Sequence, residues 1–288
     1  MTDAVFKVAA VQMVSSHELE RNLADAGELI AEAARLGARL VGLPEYFCLM
    51  GKRDADKVLL READGDGPIQ AFLSQAAARH GIWLVGGTAP LASADAARVR
   101  NACLVYDDKG RRVARYDKIH LFGFQNGAER YDESATIEAG STTVSMESPF
   151  GKLGLSVCYD LRFPELYRAL APVDVIFVPA AFTATTGRAH WETLLRARAI
   201  ENLAYVVAPA QGGLHSNQRS TWGHSMIIDP WGEILACRDE GAGVVVAEID
   251  LAKNAKVRVR CIKKNAVNAE GRALLKILRS LRSKYPLA

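Results

Sequence analysis

Short apolar runs of β-strand length recur along the whole chain and indicate a layered α/β fold. Helical patterns alternate with them in the first half, and one keeps its spacing after Pro68, a residue favoured in the first helical turn. Two sheets with helices on their outer faces would satisfy both patterns. Strands are predicted near residues 5–13, 39–43, 82–88, 102–106, 111–116, 153–157, 174–179, 204–210, 224–229, 233–237 and 243–249. Apolar residues expected to face the core from helices are Ile69, Phe72, Leu73, Ala76, Trp191, Leu194, Leu195 and Ala199.

One apolar run ends in a cysteine. Cys158 follows residues 154–157 and is followed at once by a polar cluster that reaches Glu165. Pro164 indicates a helix start, so the thiol is expected at a strand-to-helix turn, where unpaired backbone N–H groups can stabilise an anion. A free cysteine is more often a small core residue than a nucleophile. A catalytic role for Cys158 therefore depends on a base and a charge-stabilising partner elsewhere in the chain.

Two other segments offer such partners. Glu45 stands just beyond Pro44, at the end of an apolar strand that begins at Leu40. Lys118 lies in a basic segment, residues 115–122, where a strand pattern leads into a loop. Taken singly, each of these charged residues is more often a solvated surface residue.

Taken together, the three segments resemble the signatures of the nitrilase superfamily of carbon–nitrogen hydrolases. Glu45 stands in Leu-Pro-Glu-Tyr, Lys118 in Asp-Lys-Ile-His-Leu, and Cys158 in Val-Cys-Tyr-Asp-Leu-Arg-Phe-Pro-Glu, and their order and spacing also match. The resemblance covers about residues 5–258. It implies an α/β fold, a four-layer αββα sandwich with two mixed β-sheets, commonly paired into a homodimer or a higher homo-oligomer. It also implies an amidase that needs no cofactor.

The resemblance implies a role for each residue of the site. Cys158 would attack an amide carbonyl and form an acyl-thioester, with Glu45 as general base for the thiol and later for water. Lys118 and the backbone N–H of Tyr159 would stabilise the oxyanion.

Relatives often carry a further glutamate about seven residues before a glycine. Glu133 stands seven before Gly140 and would orient Lys118 and the substrate through charged hydrogen bonds. Glu129, in Glu-Arg-Tyr, is the rival candidate, and spacing favours Glu133.

Residues 182–202 and 221–232 resemble the Nit-type amidases within that superfamily. The segments around Cys158 and at residues 196–201 look more like amidases of deaminated glutathione than like ω-amidases, which act on 2-oxoglutaramate. Both kinds cleave the distal amide of an α-keto acid, so the implied partner is a small anionic amide. Arg162, Thr183 and Arg219 are candidates to bind it, although an ion pair with Glu165 is the structural alternative for Arg162.

A second hypothesis belongs to a different class. The chain could be a non-catalytic metabolite-binding or interaction protein that keeps the same scaffold. The presence of all three of Glu45, Lys118 and Cys158 at the family spacing favours the enzyme.

Composition fits a soluble enzyme core. With 288 residues, 49% of them hydrophobic, the chain can bury one large domain, and no apolar run approaches the roughly 18 residues of a membrane span. The first residues lack a signal-peptide core, so a cytoplasmic location is expected. Five scattered cysteines, an odd number, argue for reduced thiols. The six histidines form no close pair and no His–Cys cluster, so no metal site is expected.

The end of the chain departs from this pattern. Residues 253–288 contain eleven Lys or Arg and one Glu, a net charge of +10 that leaves −7 on residues 1–252. We therefore divide the chain into a carbon–nitrogen hydrolase domain, residues 1–258, and a basic C-terminal extension, residues 259–288. Leu274, Leu278 and Leu281 form the apolar stripe of a short basic amphipathic helix. A solvated helix that packs on the body or on a partner subunit is favoured over a membrane or nucleic-acid contact, because aromatic residues do not interleave with the basic ones.

Overall fold

In a computed structural model, which describes residues 4–127 and 129–262, the first strand already separates two cores. Strand β1 (Val5–Gln12) is buried over most of its length, and successive side chains of a strand point to opposite faces. Val8 and Ala10 join the core between the two sheets, whereas Ala9 and Val11 join a second core under helices. An uninterrupted apolar strand therefore has a buried layer on each side.

The first sheet has seven strands in the order β17-β1-β2-β3-β5-β4, with β6 paired to β5. Strands β1, β2 and β3 are parallel, while β17, β4, β5 and β6 make antiparallel pairs. The six strands besides β1 are β2 (Ala38–Gly42), β3 (Trp83–Val85), β4 (Ala89–Ala92), β5 (Val99–Tyr106), β6 (Arg112–Asp117) and β17 (Gly243–Asp250).

The second sheet has six strands in the order β16-β15-β12-β11-β10-β9, with a parallel centre formed by β10, β11 and β12. They are β9 (Val144–Ser148), β10 (Gly151–Leu155), β11 (Val175–Phe177), β12 (Tyr205–Ala208), β15 (Ser225–Ile228) and β16 (Ile234–Arg238). Two hairpins stand apart: β7 (Gly123–Asn126) with β8 (Glu129–Asp132), and β13 (Gly212–Leu214) with β14 (Ser220–Trp222).

Helices form the two outer layers. The first sheet is covered by α1 (Leu19–Arg35) and α3 (Pro68–His80), whose Ile30 and Leu73 share a core with Val41 and Leu84. The second is covered by α4 (Pro164–Leu170) and α5 (Ala184–Asn202), whose Trp191 and Leu195 pack in the core that also joins the two sheets. The predicted four-layer αββα sandwich with two mixed sheets is confirmed.

Two further helices are α2 (Asp56–Leu59) and α6 (Leu251–Ile262). Helix α6 runs across the predicted domain boundary at residue 258, and Arg258 holds it to the body by donating to Asp174 Oδ1 at 2.8 Å and to the Leu203 carbonyl at 3.0 Å. The predicted stripe at Leu274, Leu278 and Leu281 lies outside the described residues. Within residues 4–127 and 129–262, no helix is long and apolar enough to cross a membrane.

All eleven predicted strands are present, with ends that differ by a few residues. The strands not predicted are β4, β9 and the four hairpin strands. Strand β4 is apolar but has only four residues and contains Pro90, and the other five are short or polar. The predicted helix faces are buried except at Phe72 and Leu194, which are half-buried at the edge of each core.

The two sheets approach each other closely at Gly42. A Cβ atom at this position would lie 2.9 Å from Cε1 of Phe177 in β11 and 3.2 Å from Cγ of Pro209. Only a residue without a side chain allows the strand that ends before Glu45 to sit against the second sheet at this distance.

We predict that Gly42→Ala lowers the free energy of unfolding by about 1–3 kcal/mol, because the added methyl group forces the Phe177 ring out of its packed position. Gly27→Ala is the matched control. Gly27 lies inside α1, where a Cβ atom would meet only Phe72 at an ordinary 3.6 Å. There the same change should stabilise the protein by about 0.5–1 kcal/mol. Urea unfolding measures both, and equal effects of the two variants would contradict the close contact.

Candidate active site

Glu45 is buried where the first sheet faces the site. Glu45 follows β2 and Pro44, and only 1% of the residue is exposed. One carboxylate oxygen, Oε1, accepts from Lys118 Nζ at 2.8 Å and from Asn101 Nδ2 at 2.9 Å. The other, Oε2, is buried and has no hydrogen-bond partner among the described residues. Glu45 thus presents one oxygen that is fixed and one that is free to take a proton.

Lys118 comes directly after β6 and is completely buried. Its ammonium lies between two carboxylates, 2.8 Å from Glu45 Oε1 and 2.7 Å from Glu133 Oε2. The backbone around it is fixed by Gly140, whose N–H donates to the Lys118 carbonyl at 2.8 Å. A Cβ atom at Gly140 would lie 2.2 Å from the carbonyl oxygen of Asp117, which explains why the chain needs glycine there.

Glu133 begins a 3₁₀ turn (Glu133–Ala135), and both of its oxygens are bound. Oε1 accepts from the Tyr46 hydroxyl at 2.7 Å, and Oε2 accepts from Lys118 and from the Phe122 backbone N–H, each at 2.7 Å. The structure therefore brings Glu133 to Lys118, as the spacing to Gly140 predicted. The rival Glu129 lies in β8, and its side chain is outside the described part of the structure.

Cys158 starts a 3₁₀ turn (Cys158–Arg162) three residues after β10 ends, so the expected strand-to-helix turn is present. Its φ of 50° is in the left-handed region, which is strained for a residue other than glycine. Strained backbone of this kind clusters at functional sites. The Cys158 N–H is used in a hydrogen bond to the Pro179 carbonyl at 2.9 Å. Tyr159, the predicted oxyanion donor through its N–H, is the next residue of the same turn.

A buried carboxylate, Asp160, joins the two loops that carry Cys158 and Lys118. Its Oδ2 accepts from the Val157 N–H at 2.8 Å and from the Tyr116 hydroxyl at 2.7 Å. Its Oδ1 accepts from the His120 N–H at 3.0 Å and contacts the His120 ring nitrogen Nδ1 at 2.7 Å. Since Tyr116 and His120 flank Lys118, this one side chain fixes both loops relative to each other.

The predicted substrate-binding residues differ in what they contact. Thr183 and Arg219 line the cavity of about 270 Å³ that contains Glu45 and Cys158. The Thr183 hydroxyl already accepts from the Thr186 N–H at 3.2 Å and so caps α5, while Arg219 Nη2 donates to the Ala181 carbonyl at 3.2 Å.

Arg162 lies over two aromatic rings, with its guanidinium carbon 5.6 Å from the centre of Tyr159 and 5.6 Å from that of Phe182. Its Nη2 also lies 3.3 Å from Nδ1 of His190. Among the described residues no ion pair joins Arg162 to Glu165, so the structural alternative for this arginine is not observed.

Sequence reasoning missed several residues that hold the site together: Asn101, Tyr46, Asp160, Tyr116 and His120. Tyr46, Asp160 and His120 stand inside the three motifs, so their position beside the predicted residues was a usable signal. Asn101 comes from β5, which has no polar motif, and its contact with Glu45 depends on the order of strands in the sheet.

Comparison with known proteins identifies the family of the chain. A model of the carbon–nitrogen hydrolase family matches residues 7–259. The deaminated glutathione amidase of Synechocystis sp. is 46% identical over 259 residues, which cover 88% of this chain and 94% of that protein. The chain belongs to the carbon–nitrogen hydrolase family.

Solved structures of this family share the fold. The C. elegans NitFhit protein has a TM-score of 0.83 at 37% identity, over 92% of this chain and 66% of that longer one. Nit3 of Saccharomyces cerevisiae, a member of branch 10 of the nitrilase superfamily, has a TM-score of 0.80 at 29% identity, over 92% of this chain and 96% of that one. The predicted membership of the nitrilase superfamily is confirmed, and the protein is a hydrolase that acts on carbon–nitrogen bonds of non-peptide amides.

The carbon–nitrogen hydrolase site sets the protonation states of its groups mainly by burial. Burial raises the pKa of Glu45, and the ammonium of Lys118 only partly offsets this. Burial acts in the same direction on Glu133, but the charge of Lys118 and its hydrogen bond hold the pKa of that carboxyl below its ordinary value. Protons therefore go to Glu45 before Glu133.

The other two groups stay protonated over a wide pH range. Burial alone would lower the pKa of Lys118, yet Glu133 and Glu45 raise it above the ordinary value. Burial and the charge of Glu45 raise the pKa of the Cys158 thiol well above 9.0. Burial thus favours a neutral thiol in the resting site over a preformed thiolate. Among the described residues, no group of three or more His, Cys, Asp or Glu side chains could hold a metal ion.

We predict that the rate of Cys158 alkylation by iodoacetamide rises with pH as Glu45 loses its proton. The alkylation rate should rise with pH because only ionised Glu45 can accept the thiol proton. The raised pKa of Glu45 places the midpoint of this rise above 4.5. Glu45→Gln should remove this rise and slow alkylation at pH 7 by about 100-fold or more. Peptide mass spectrometry assigns the reaction to Cys158, and a Cys237→Ser background removes one thiol that is exposed. A midpoint near the ordinary thiol pKa of about 8.5 in both proteins would contradict the coupling.

Asp160→Asn should lower the free energy of unfolding by roughly 2–4 kcal/mol, because the amide NH₂ group would face two hydrogen-bond donors and leave them unsatisfied. Tyr116→Phe is the control, since it removes one donor and leaves the carboxylate with its other partners; about 0.5–1.5 kcal/mol is expected. Urea unfolding measures both variants. The same loss in both would show that Asp160 does not hold the two loops together.

Proposed function

We propose that the protein hydrolyses the distal amide of deaminated glutathione through an acyl-thioester on Cys158. One observation carries the proposal: Glu45 and Cys158, which are far apart in sequence, line one cavity, and Lys118 lies 2.8 Å from Glu45. Glu45 is close enough to the thiol that its charge raises the pKa of Cys158, after the larger effect of burial. This arrangement is what a thiol nucleophile needs, since it must be activated by an adjacent base.

Glu45 is the general base of the first step. Its partnerless Oε2 takes the thiol proton as the sulfur attacks the amide carbonyl, because burial keeps the thiol neutral before attack. The C–N bond then breaks, and the same carboxyl returns the proton to the departing amine. Water follows, gives its proton to Glu45 and hydrolyses the thioester, which regenerates the thiol.

Lys118 stabilises the oxyanion. An ammonium has three N–H donors, and Glu45 and Glu133 account for two of them. The third, with the backbone N–H of Tyr159, would face the oxygen of the tetrahedral intermediate; such donors contribute on the order of 3–4 kcal/mol each. Glu133, ionised and fully hydrogen-bonded, keeps this ammonium charged and in place.

The substrate follows from the relatives and from charge. A relative 46% identical to this chain is named deaminated glutathione amidase, as is the human protein, at 40% identity over 251 residues. Deaminated glutathione carries a carboxylate at each end, and two arginines lie beside the cavity. Arg162, over the Phe182 ring, would be the partner of the α-keto acid end, which leaves Arg219 for the other end. Thr183 would contribute its hydroxyl from the same wall.

Hydrolysis of deaminated glutathione to 2-oxoglutarate and cysteinylglycine is the expected activity, with a higher kcat/KM than for 2-oxoglutaramate. Cys158→Ala should abolish this hydrolysis, and the variant should still unfold at the same urea concentration as the wild type. Product analysis for the dipeptide and for ammonia measures the two reactions. A higher kcat/KM for 2-oxoglutaramate would favour an ω-amidase, and no hydrolysis of either amide by the wild type would favour a non-catalytic binding protein.

We also propose a cytoplasmic, homo-oligomeric enzyme with a basic C-terminal extension at residues 259–288. The four cysteines whose side chains are described are all free, which suits a reducing compartment. Exposed apolar side chains at Ile200 and Trp231, which flank Gly232, supply a surface that a second subunit would cover. The charge of +10 on residues 253–288 supports a separate role for the extension.

A further inference from the structure

The cavity at Cys158 continues outward into a larger one. The inner cavity, about 270 Å³, shares Phe122, Glu133 and Arg219 with an outer cavity of about 790 Å³ that is open to solvent. By the same measure the inner cavity has only about a third of the volume of the outer one, so a substrate longer than its acyl group would extend into the outer one.

The outer cavity contains a cation with little compensation. The side chain of Lys57 is only 15% exposed, and its Nζ donates to the Thr136 hydroxyl at 3.1 Å. The carboxylate of Asp54 lies 4.0 Å away, beyond hydrogen-bond distance, and is itself 77% exposed. Burial lowers the pKa of Lys57, which reflects the cost of holding this charge out of water. An anion bound in the cavity would offset that cost.

Arg219 supplies a second incompletely paired cation to the same cavity. Its Nη2 donates to the Ala181 carbonyl, and its guanidinium carbon lies 4.9 Å from the centre of the Tyr131 ring. Its Nε is buried and has no hydrogen-bond partner in the part of the chain that the structure describes. An unpaired buried donor of this kind is costly unless a ligand satisfies it.

The order of the chemical steps decides which half of the substrate lies outside. The acyl group stays on Cys158 as the thioester, while the amine must leave before water can reach the same carbon. The leaving amine therefore belongs on the solvent side, towards the outer cavity. In deaminated glutathione this half is cysteinylglycine, which ends in a carboxylate, whereas 2-oxoglutaramate releases only ammonia.

We propose that Lys57 and Arg219 form an outer subsite that binds the carboxylate of the amide's leaving group. The subsite rests on the proposed function and adds its specificity: it selects amides whose amine half is anionic. Lys57 provides a compact charge, and Arg219 provides a planar donor that suits a carboxylate.

The test compares three amides: deaminated glutathione, the same compound with its terminal carboxylate converted to an amide, and 2-oxoglutaramate. The wild type should prefer the carboxylate form over the amidated form by at least about tenfold in kcat/KM, mainly through KM. Lys57→Met should remove this preference, and its kcat/KM for 2-oxoglutaramate should fall much less than its kcat/KM for deaminated glutathione. Lys57→Arg should retain most of the preference. Lys52→Met is the matched control, because Lys52 lines the same cavity but is exposed, and it should keep the preference.

Each outcome is decisive. A preference that survives in Lys57→Met, or falls equally in Lys52→Met, would overturn the subsite while leaving the proposed function intact. An equal loss on all three amides in Lys57→Met would show a structural role for this lysine and would also overturn it. If the wild type hydrolyses none of the three amides, the proposed function fails and the subsite fails with it.

Discussion

The site depends on one buried ammonium held between two carboxylates. Lys118 has no exposed surface, and without Glu45 and Glu133 its charge could not remain there, because an unpaired buried ion costs several kcal/mol. The reverse is also true: two carboxylates this close would not both ionise without the cation between them. Glu45, Lys118 and Glu133 therefore form one electrostatic unit with a net charge near −1. Its least stable ionised member is Glu45, the group that the chemistry asks to accept a proton.

The fold delivers these charges by placing polar residues where strands end. Glu45 follows β2, Lys118 follows β6 in the same sheet, and Cys158 follows β10 in the other sheet. The site thus lies across the two sheets, and it can keep its geometry only if their separation is fixed. Close packing at Gly42 sets that separation in the core, and Asp160 sets it among the loops. Packing and hydrogen bonding therefore act on the same distance.

The sequence predicted what local signals encode. Continuous apolar runs identified the central strands, since burial on both faces leaves no polar alternation. Strand β9 and the hairpin strands carry no such run, and the run in β4 is only four residues long and contains Pro90. The motifs identified Glu45, Lys118, Cys158 and Glu133 as candidates because each stands in a distinctive short segment. Asn101 and Lys57 could not be found in this way. Asn101 reaches Glu45 only because the strand order brings β5 near β2, and Lys57 looks like one of many surface cations until the burial of its side chain is known.

The residues that short motifs identify and those that only the structure reveals also differ in role: the former serve catalysis, and Lys57 among the latter serves specificity. The reacting groups are placed by strand ends and by buried hydrogen bonds, which a change in substrate specificity would have to preserve. The outer cavity is lined instead by loops and by the short helix α2, with Lys52, Arg53 and Lys57 supplied by one stretch of chain. Loops of this kind tolerate substitution, because little of the core depends on them. One catalytic centre can therefore serve different amides when only the outer residues change, and the charge on the amine half of the substrate is the property that those residues are placed to distinguish.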